Sequence, residues 1–152
     1  MKQKTPNAQR RTPNIEFRGG RVAEVPTGQY GESGRLKYDL EERLLGFTAK
    51  IVRLADSLPN TKAGNHIAGQ LLRCGTSPLA NHGEVEAAES RKDFLHKLRI
   101  CLKELRETWR WLRLVGQLQL TDAAELRATL GEVEELIRIF AASVRTTGKN
   151  AK

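Results

Sequence analysis

The chain has only two cysteines, Cys74 and Cys101, and neither has a second cysteine at metal-ligand or redox spacing. This scarcity excludes a disulfide framework and a thiolate zinc site; both thiols read as small buried hydrophobes in a reducing compartment. No stretch approaches the apolar length of a membrane span, and the first residues form no signal-peptide apolar core, so a cytoplasmic location is expected. His66, His82 and His96 make no i, i+4 pair around a glutamate, which leaves no metal motif and implies no cofactor. Gly28, Gly31 and Gly34 are not followed by the Gly-Lys-Ser/Thr of a phosphate loop. No nucleophile, base and orienting group can be assembled from these residues, so a non-enzymatic protein is expected.

What is present is basic charge, unevenly spread. Of the net +8, residues 1 to 37 carry eight Lys/Arg against three Glu, residues 146 to 152 carry two Lys, and residues 38 to 145 carry sixteen basic against fifteen acidic groups. Residues 91 to 113 alone hold eight basic and three acidic side chains, so the body is close to neutral but polarised. Residues 1 to 37, rich in Lys, Arg, Gln, Thr, Pro and Gly with only scattered Ile15, Phe17, Val22 and Val25, read as a disordered basic arm. Residues 146 to 152 read as a disordered tail, and residues 38 to 145 as one domain.

Within that domain, Leu40, Leu44, Phe47, Ile51, Leu54 and Leu58 alternate four and three apart, the seam of an amphipathic helix from about Asp39 to Leu58. A second helix is predicted from about Thr61 to Glu89, kinked or broken at Pro78, where proline removes a hydrogen bond and crowds the preceding turn. Ser90 followed by Asp93 resembles a capping box and opens a third helix that Gly116 is expected to end. Thr121 is the expected cap of a fourth, whose seam is Leu126, Leu130, Val133, Ile137, Phe140 and Val144. The fold class is therefore all-α: an antiparallel up-down four-helix bundle with a kinked second helix and a disordered basic N-terminal arm.

The third helix carries the functional clue. Lys92, Arg99, Arg106 and Arg113 recur every seven residues with Lys103 and Arg110 beside them, so the side chains fall in one stripe next to the apolar face. Two readings stand. The stripe solvates an outer face, the commoner reason for exposed charge, or it binds phosphates by counterion release without reading bases. A solvated face ordinarily mixes signs, and this stripe does not. On the opposite side, Ile100 and Trp111 either meet another subunit or widen the core face. Glu104 and Glu107 lie near them, and Arg73 of the second helix is expected to pair with one or both, since a half-buried carboxylate needs a partner.

Four segments carry a family resemblance: YDLEER at Tyr38 to Arg43, QLLRCGTS at Gln70 to Ser77, AESRKDF at Ala88 to Phe94, and KLRICLKELRETWRWLRLV at Lys97 to Val115. In order and spacing they resemble the small four helix bundle proteins related to the one encoded in intervening sequences of bacterial large-subunit ribosomal RNA genes. The resemblance runs from Tyr38 to about Val144; the chain departs from the usual pattern at Pro78, Leu79, His82 and Gly83. It implies a homopentameric ring, no enzymatic activity and a role with nucleic acid, RNA foremost. The chain is also similar, more distantly, to accessory proteins of diversity-generating retroelements, which implies a reverse transcriptase as an alternative partner. The expectation is an RNA-associated bundle, with a protein-binding adaptor as the alternative.

Overall fold

The structure, a computed structural model, describes residues 14–18, 21–25 and 40–149. The first seam forms as its spacing requires. Helix α1 (Leu40–Ser57) buries Leu40, Leu44, Phe47, Ile51 and Leu54, and Leu58 closes the row just past its end. Helix α2 (Lys62–Glu86) starts at Thr61, whose hydroxyl accepts from Gly64 N at 3.0 Å. Of the expected kink or break at Pro78, the break does not occur: α2 runs uninterrupted through this buried proline. Next to it, Asn81 Nδ2 donates to Ser77 O at 2.9 Å and to Ser77 Oγ at 2.8 Å, tying the turn that contains the proline. Where α1 crosses α2, a Cβ on Gly75 would lie 2.6 Å from Ile51 Cγ2, so the absence of a side chain sets how closely the two helices approach.

Helix α3 (Arg91–Gln117) begins at Ser90, which accepts from Asp93 N at 3.1 Å. Asp93 Oδ2 reaches back to the N–H of Glu89 at 3.3 Å rather than to that of Ser90, so the box is reciprocal but displaced by one residue. Gly116 does not end this helix. It lies inside it, where a Cβ would stand 3.0 Å from Leu126 Cδ2. Termination falls to Gln119 in the left-handed region at φ 53°, with Gln119 N donating to Gly116 O at 3.1 Å and Leu120 N to Val115 O at 3.2 Å. That pair of bonds is the Schellman pattern, built on glutamine where glycine is usual.

Helix α4 (Ala123–Lys149) differs from the sequence expectation in three respects. Asp122, not Thr121, caps it: Asp122 Oδ1 accepts from Ala124 N and Glu125 N, both at 2.9 Å, while the Thr121 hydroxyl lies 3.3 Å from Ser57 Oγ. Its buried face runs through Leu126, Thr129, Val133, Leu136, Ile139, Phe140, Ser143 and Thr147, leaving Leu130, Ile137 and Val144 half-buried. Thr129 and Ser143 tolerate burial because their hydroxyls donate to the carbonyls of Glu125 at 2.9 Å and Ile139 at 3.0 Å. The expected disordered tail is helical as far as Lys149, held by Arg91, whose Nη2 donates to Thr147 O at 2.7 Å.

Helices α1 to α4 pack α1 on α2, α2 on α3 and α3 on α4, with a smaller α1–α4 contact. This is an antiparallel up-down bundle whose single core includes Phe47, Phe94, Phe140, Leu98, Leu105 and Leu112. No helix among the described residues is long and apolar enough to cross a membrane. Part of the expected disordered arm is ordered: β1 (Asn14–Arg18) and β2 (Arg21–Val25) pair antiparallel, Phe17 opposite Val22. The rest of that arm lies outside the described residues. The paired strands make a hairpin too small to stand alone, which runs alongside α4, with β2 reaching α2. Arg43 in the first turn of α1 pairs with Glu132 at 2.6 Å.

Candidate nucleic-acid interface

The apolar positions of α3 fix the direction of its cations. With Phe94, Leu98, Cys101, Leu105, Leu112 and Val115 in the core, Lys92, Arg99, Lys103, Arg106, Arg110 and Arg113 all emerge exposed. Among the described residues, none of these six forms an ion pair with a carboxylate. Neighbouring Lys97 behaves differently: it lies 2.8 Å from Asp93 and 3.7 Å from Glu84. The hydrogen bond between Lys97 and Asp93 raises the lysine pKa and lowers that of the carboxyl.

The row is not uniform. Arg99, Lys103, Arg106 and Arg110 line a groove of about 520 Å³ between α3 and α4, floored by Leu102, Ala141 and Val144 and joined from α4 by Arg145. A second hollow of about 360 Å³ continues it past Arg106 and Arg110 to Trp109, Glu134, Ile137 and Arg138. There charge is compensated: Trp109 Nε1 donates to Glu134 at 3.2 Å, and Arg138 pairs with Glu134 and Glu135. Arg113 lies over the Trp109 ring at 4.6 Å, and Lys92 sits in the first turn of α3; neither lines the groove. Arg145 is the residue that sequence reasoning missed. Its signal was available, since Arg138 and Arg145 repeat on α4 the seven-residue spacing of α3.

The structure brings Arg73, Glu104 and Glu107 together across the α2–α3 contact. Arg73 Nη1 stands 3.5 Å from Glu104 Oε2, and its second terminal nitrogen donates to Glu107 and, at 3.2 Å, to Gln70. Glu104 is buried and its Oε2 has no hydrogen-bond partner, so the guanidinium is the charge nearest to it. Trp111 is half-buried against the core with its ring edge-on to His66 at 5.9 Å, and Ile100 is half-buried. One and two turns beyond Trp111, Leu114 and Leu118 remain exposed.

Other constellations offer little chemistry. His82 is buried against Phe140, and Glu84 faces Lys97. Burial pushes the Cys101 thiol up to about 12 and also raises Cys74, which disfavours the nucleophilic thiolate. Among the described residues, no group of three His, Cys, Asp or Glu side chains is placed to hold a metal ion.

No curated protein matches the sequence. Among solved structures, the chain is similar to a protein of unknown function from the S23 ribosomal protein family of Bacteroides thetaiotaomicron VPI-5482. The two are 32% identical, with a TM-score of 0.65 over 70% of this chain and 98% of the other. The family model described as 23S rRNA-intervening sequence protein matches residues 38–142, which takes in α1 to α3, most of α4 and all of the groove lining except Val144 and Arg145. With both the sequence model and the bundle in agreement, the chain belongs to the 23S rRNA-intervening sequence protein family.

Proposed function

We propose that this protein is a non-enzymatic RNA-binding bundle that holds phosphates along α3 without reading bases. The observation that carries the reading is the row of six exposed cations that have no carboxylate partner among the described residues, in a body whose total charge is close to neutral because its acidic groups lie elsewhere. Like charges in a row repel one another, and a polyanion relieves that repulsion while releasing its own counterions. The family name, which ties its members to ribosomal RNA genes, supports RNA as the polyanion. The side of α3 bearing Ile100, Trp111, Leu114 and Leu118 is proposed to meet a second copy, so that an assembled homo-oligomer presents several rows at once.

The test is RNA affinity at two salt concentrations for wild type, for the Arg99→Ala, Arg106→Ala, Arg113→Ala triple variant, and for a control triple, Arg53→Ala, Lys62→Ala, Arg127→Ala. The control removes equal charge from exposed positions elsewhere on the bundle. Removing three phosphate contacts from a single-strand complex is expected to weaken binding about 100-fold near 0.1 M salt and to flatten the log–log salt slope by about 2. Equal affinities for the two triple variants would reduce the row to general basicity.

A further inference from the structure

The part of the cationic row between Arg99 and Arg110 differs from the rest in having a floor. Five cations, Arg99, Lys103, Arg106, Arg110 and Arg145, surround the larger groove with no carboxylate among its lining residues, and Leu102, Ala141 and Val144 form its apolar base. The adjoining hollow contains Glu134, which with Glu135 engages Arg138, so uncompensated positive charge is concentrated in the floored section. Along α3 that section covers twelve residues, about 18 Å of helix. Its slot lies between two helices packed roughly 8–10 Å apart, axis to axis.

A ligand matched to this surface carries anions at its edge and flat apolar surface beside them. RNA has both, but only unpaired RNA can present them together. A duplex stacks its base faces on one another and is wider than the slot, so it rests on the rim cations and leaves the floor untouched. A single strand can hold its phosphates to Arg99, Lys103, Arg106, Arg110 and Arg145 and turn base or ribose faces down onto Leu102, Ala141 and Val144. We infer that the α3–α4 groove is a single-strand RNA channel. The inference rests on the RNA-binding reading above and adds to it the strandedness of the substrate and the contribution of α4. Because the floor offers no hydrogen-bonding side chain among its three residues, the channel distinguishes paired from unpaired RNA without choosing among bases.

The experiment compares the full-length protein and its Ala141→Gln variant by fluorescence anisotropy, using a labelled uridine dodecamer and an equally long RNA duplex, with poly-glutamate as competitor. Ala141→Gln keeps the charge and helical propensity of α4 while raising the floor with a polar side chain; a melting temperature near that of wild type establishes that it folds. The expected result is tighter binding of the single strand, a loss of about tenfold for the dodecamer alone in Ala141→Gln, and little displacement by poly-glutamate at matched charge. Duplex binding as tight as single-strand binding overturns the channel and leaves phosphate binding standing. A single-strand preference that Ala141→Gln does not change overturns its placement in the groove. Displacement by poly-glutamate reduces the site to a charge reader for acidic polypeptides, and failure of both RNAs to bind overturns the channel together with the reading beneath it.

Discussion

Replacing Gly75 by alanine places a methyl group 2.6 Å from Ile51 Cγ2, 3.1 Å from its Cγ1 and 3.3 Å from its Cβ. Carbon atoms pack best at about 3.5–4.0 Å, so either α1 moves away from α2 or Ile51 leaves its rotamer, at roughly 2–3 kcal/mol, the upper part of the usual overpacking cost because the closest contact is so short. Alanine returns about 1 kcal/mol of helix propensity, which leaves a net destabilisation of about 1–2 kcal/mol. The side chain opposite decides the sign. Valine at 51 retains both γ-carbons and the clash with them, whereas alanine at 51 removes both and leaves a cavity that the new methyl group partly fills. Gly75→Ala should therefore destabilise wild type and Ile51→Val, yet stabilise Ile51→Ala by about 1 kcal/mol, a coupling of roughly 2–3 kcal/mol. Equilibrium urea unfolding of the variants measures this, with unchanged m-values confirming that stability alone has shifted. If Gly75→Ala destabilises the Ile51→Ala protein as much as wild type, the helices do not meet at these residues. RNA affinity should be unaffected throughout, because neither residue lines the groove.

Three further outcomes are expected. Gln119→Gly removes the strain of a left-handed glutamine and should raise stability by about 0.5–1 kcal/mol, visible as a melting temperature a few degrees higher; an unchanged or lower value would contradict the αL assignment. Arg73→Met leaves the buried Glu104 carboxylate without its nearest cation and, discounted for the half-exposed guanidinium, should cost about 1–2 kcal/mol, with Glu104→Gln restoring stability in that background. Intact melting in Arg73→Met would remove the pairing from the account. Moving the Cys101 pKa from 9.0 to about 12 lowers the thiolate fraction at pH 8 about a thousandfold, so thiol reagents should label Cys101 in the native protein far more slowly than in guanidinium. Native labelling within tenfold of the unfolded rate would place this thiol at the surface.

The seam of helix α1 was legible, with only buried Ala55 outside it, because its large core positions are all aliphatic or aromatic and spacing identifies such a face. Helix α4 was legible only by half. Thr129, Ser143 and Thr147 face inward, two of them by bonding their own helix, and a hydropathy pattern assigns hydroxyls to the outside. The end of α3 was misplaced for a related reason: Gly116 is small to admit Leu126, not to turn the chain, and a glutamine holds the turn. The hairpin was overlooked because ten residues within a basic, polar segment cannot form a core of their own; Gly19-Gly20 was the local signal, and the supporting surface of α4 is a tertiary fact. In the candidate interface, the α3 row could be read from its seven-residue repeat. The groove could not, because it depends on the register that Trp109–Glu134 and the Gly116–Leu126 contact set between α3 and α4. That register is what brings Arg145 beside cations more than thirty positions earlier in the chain.

The most direct test of the central claim is ultraviolet cross-linking of the protein to a uridine-rich single-stranded RNA, with the attached peptides identified by mass spectrometry. The account predicts cross-links on α3 between Arg99 and Arg113 and on α4 between Ile137 and Arg145, the elements that line the groove and its continuation. Cross-links confined to the faces of α1 and α2, or to residues before Leu40, would contradict it.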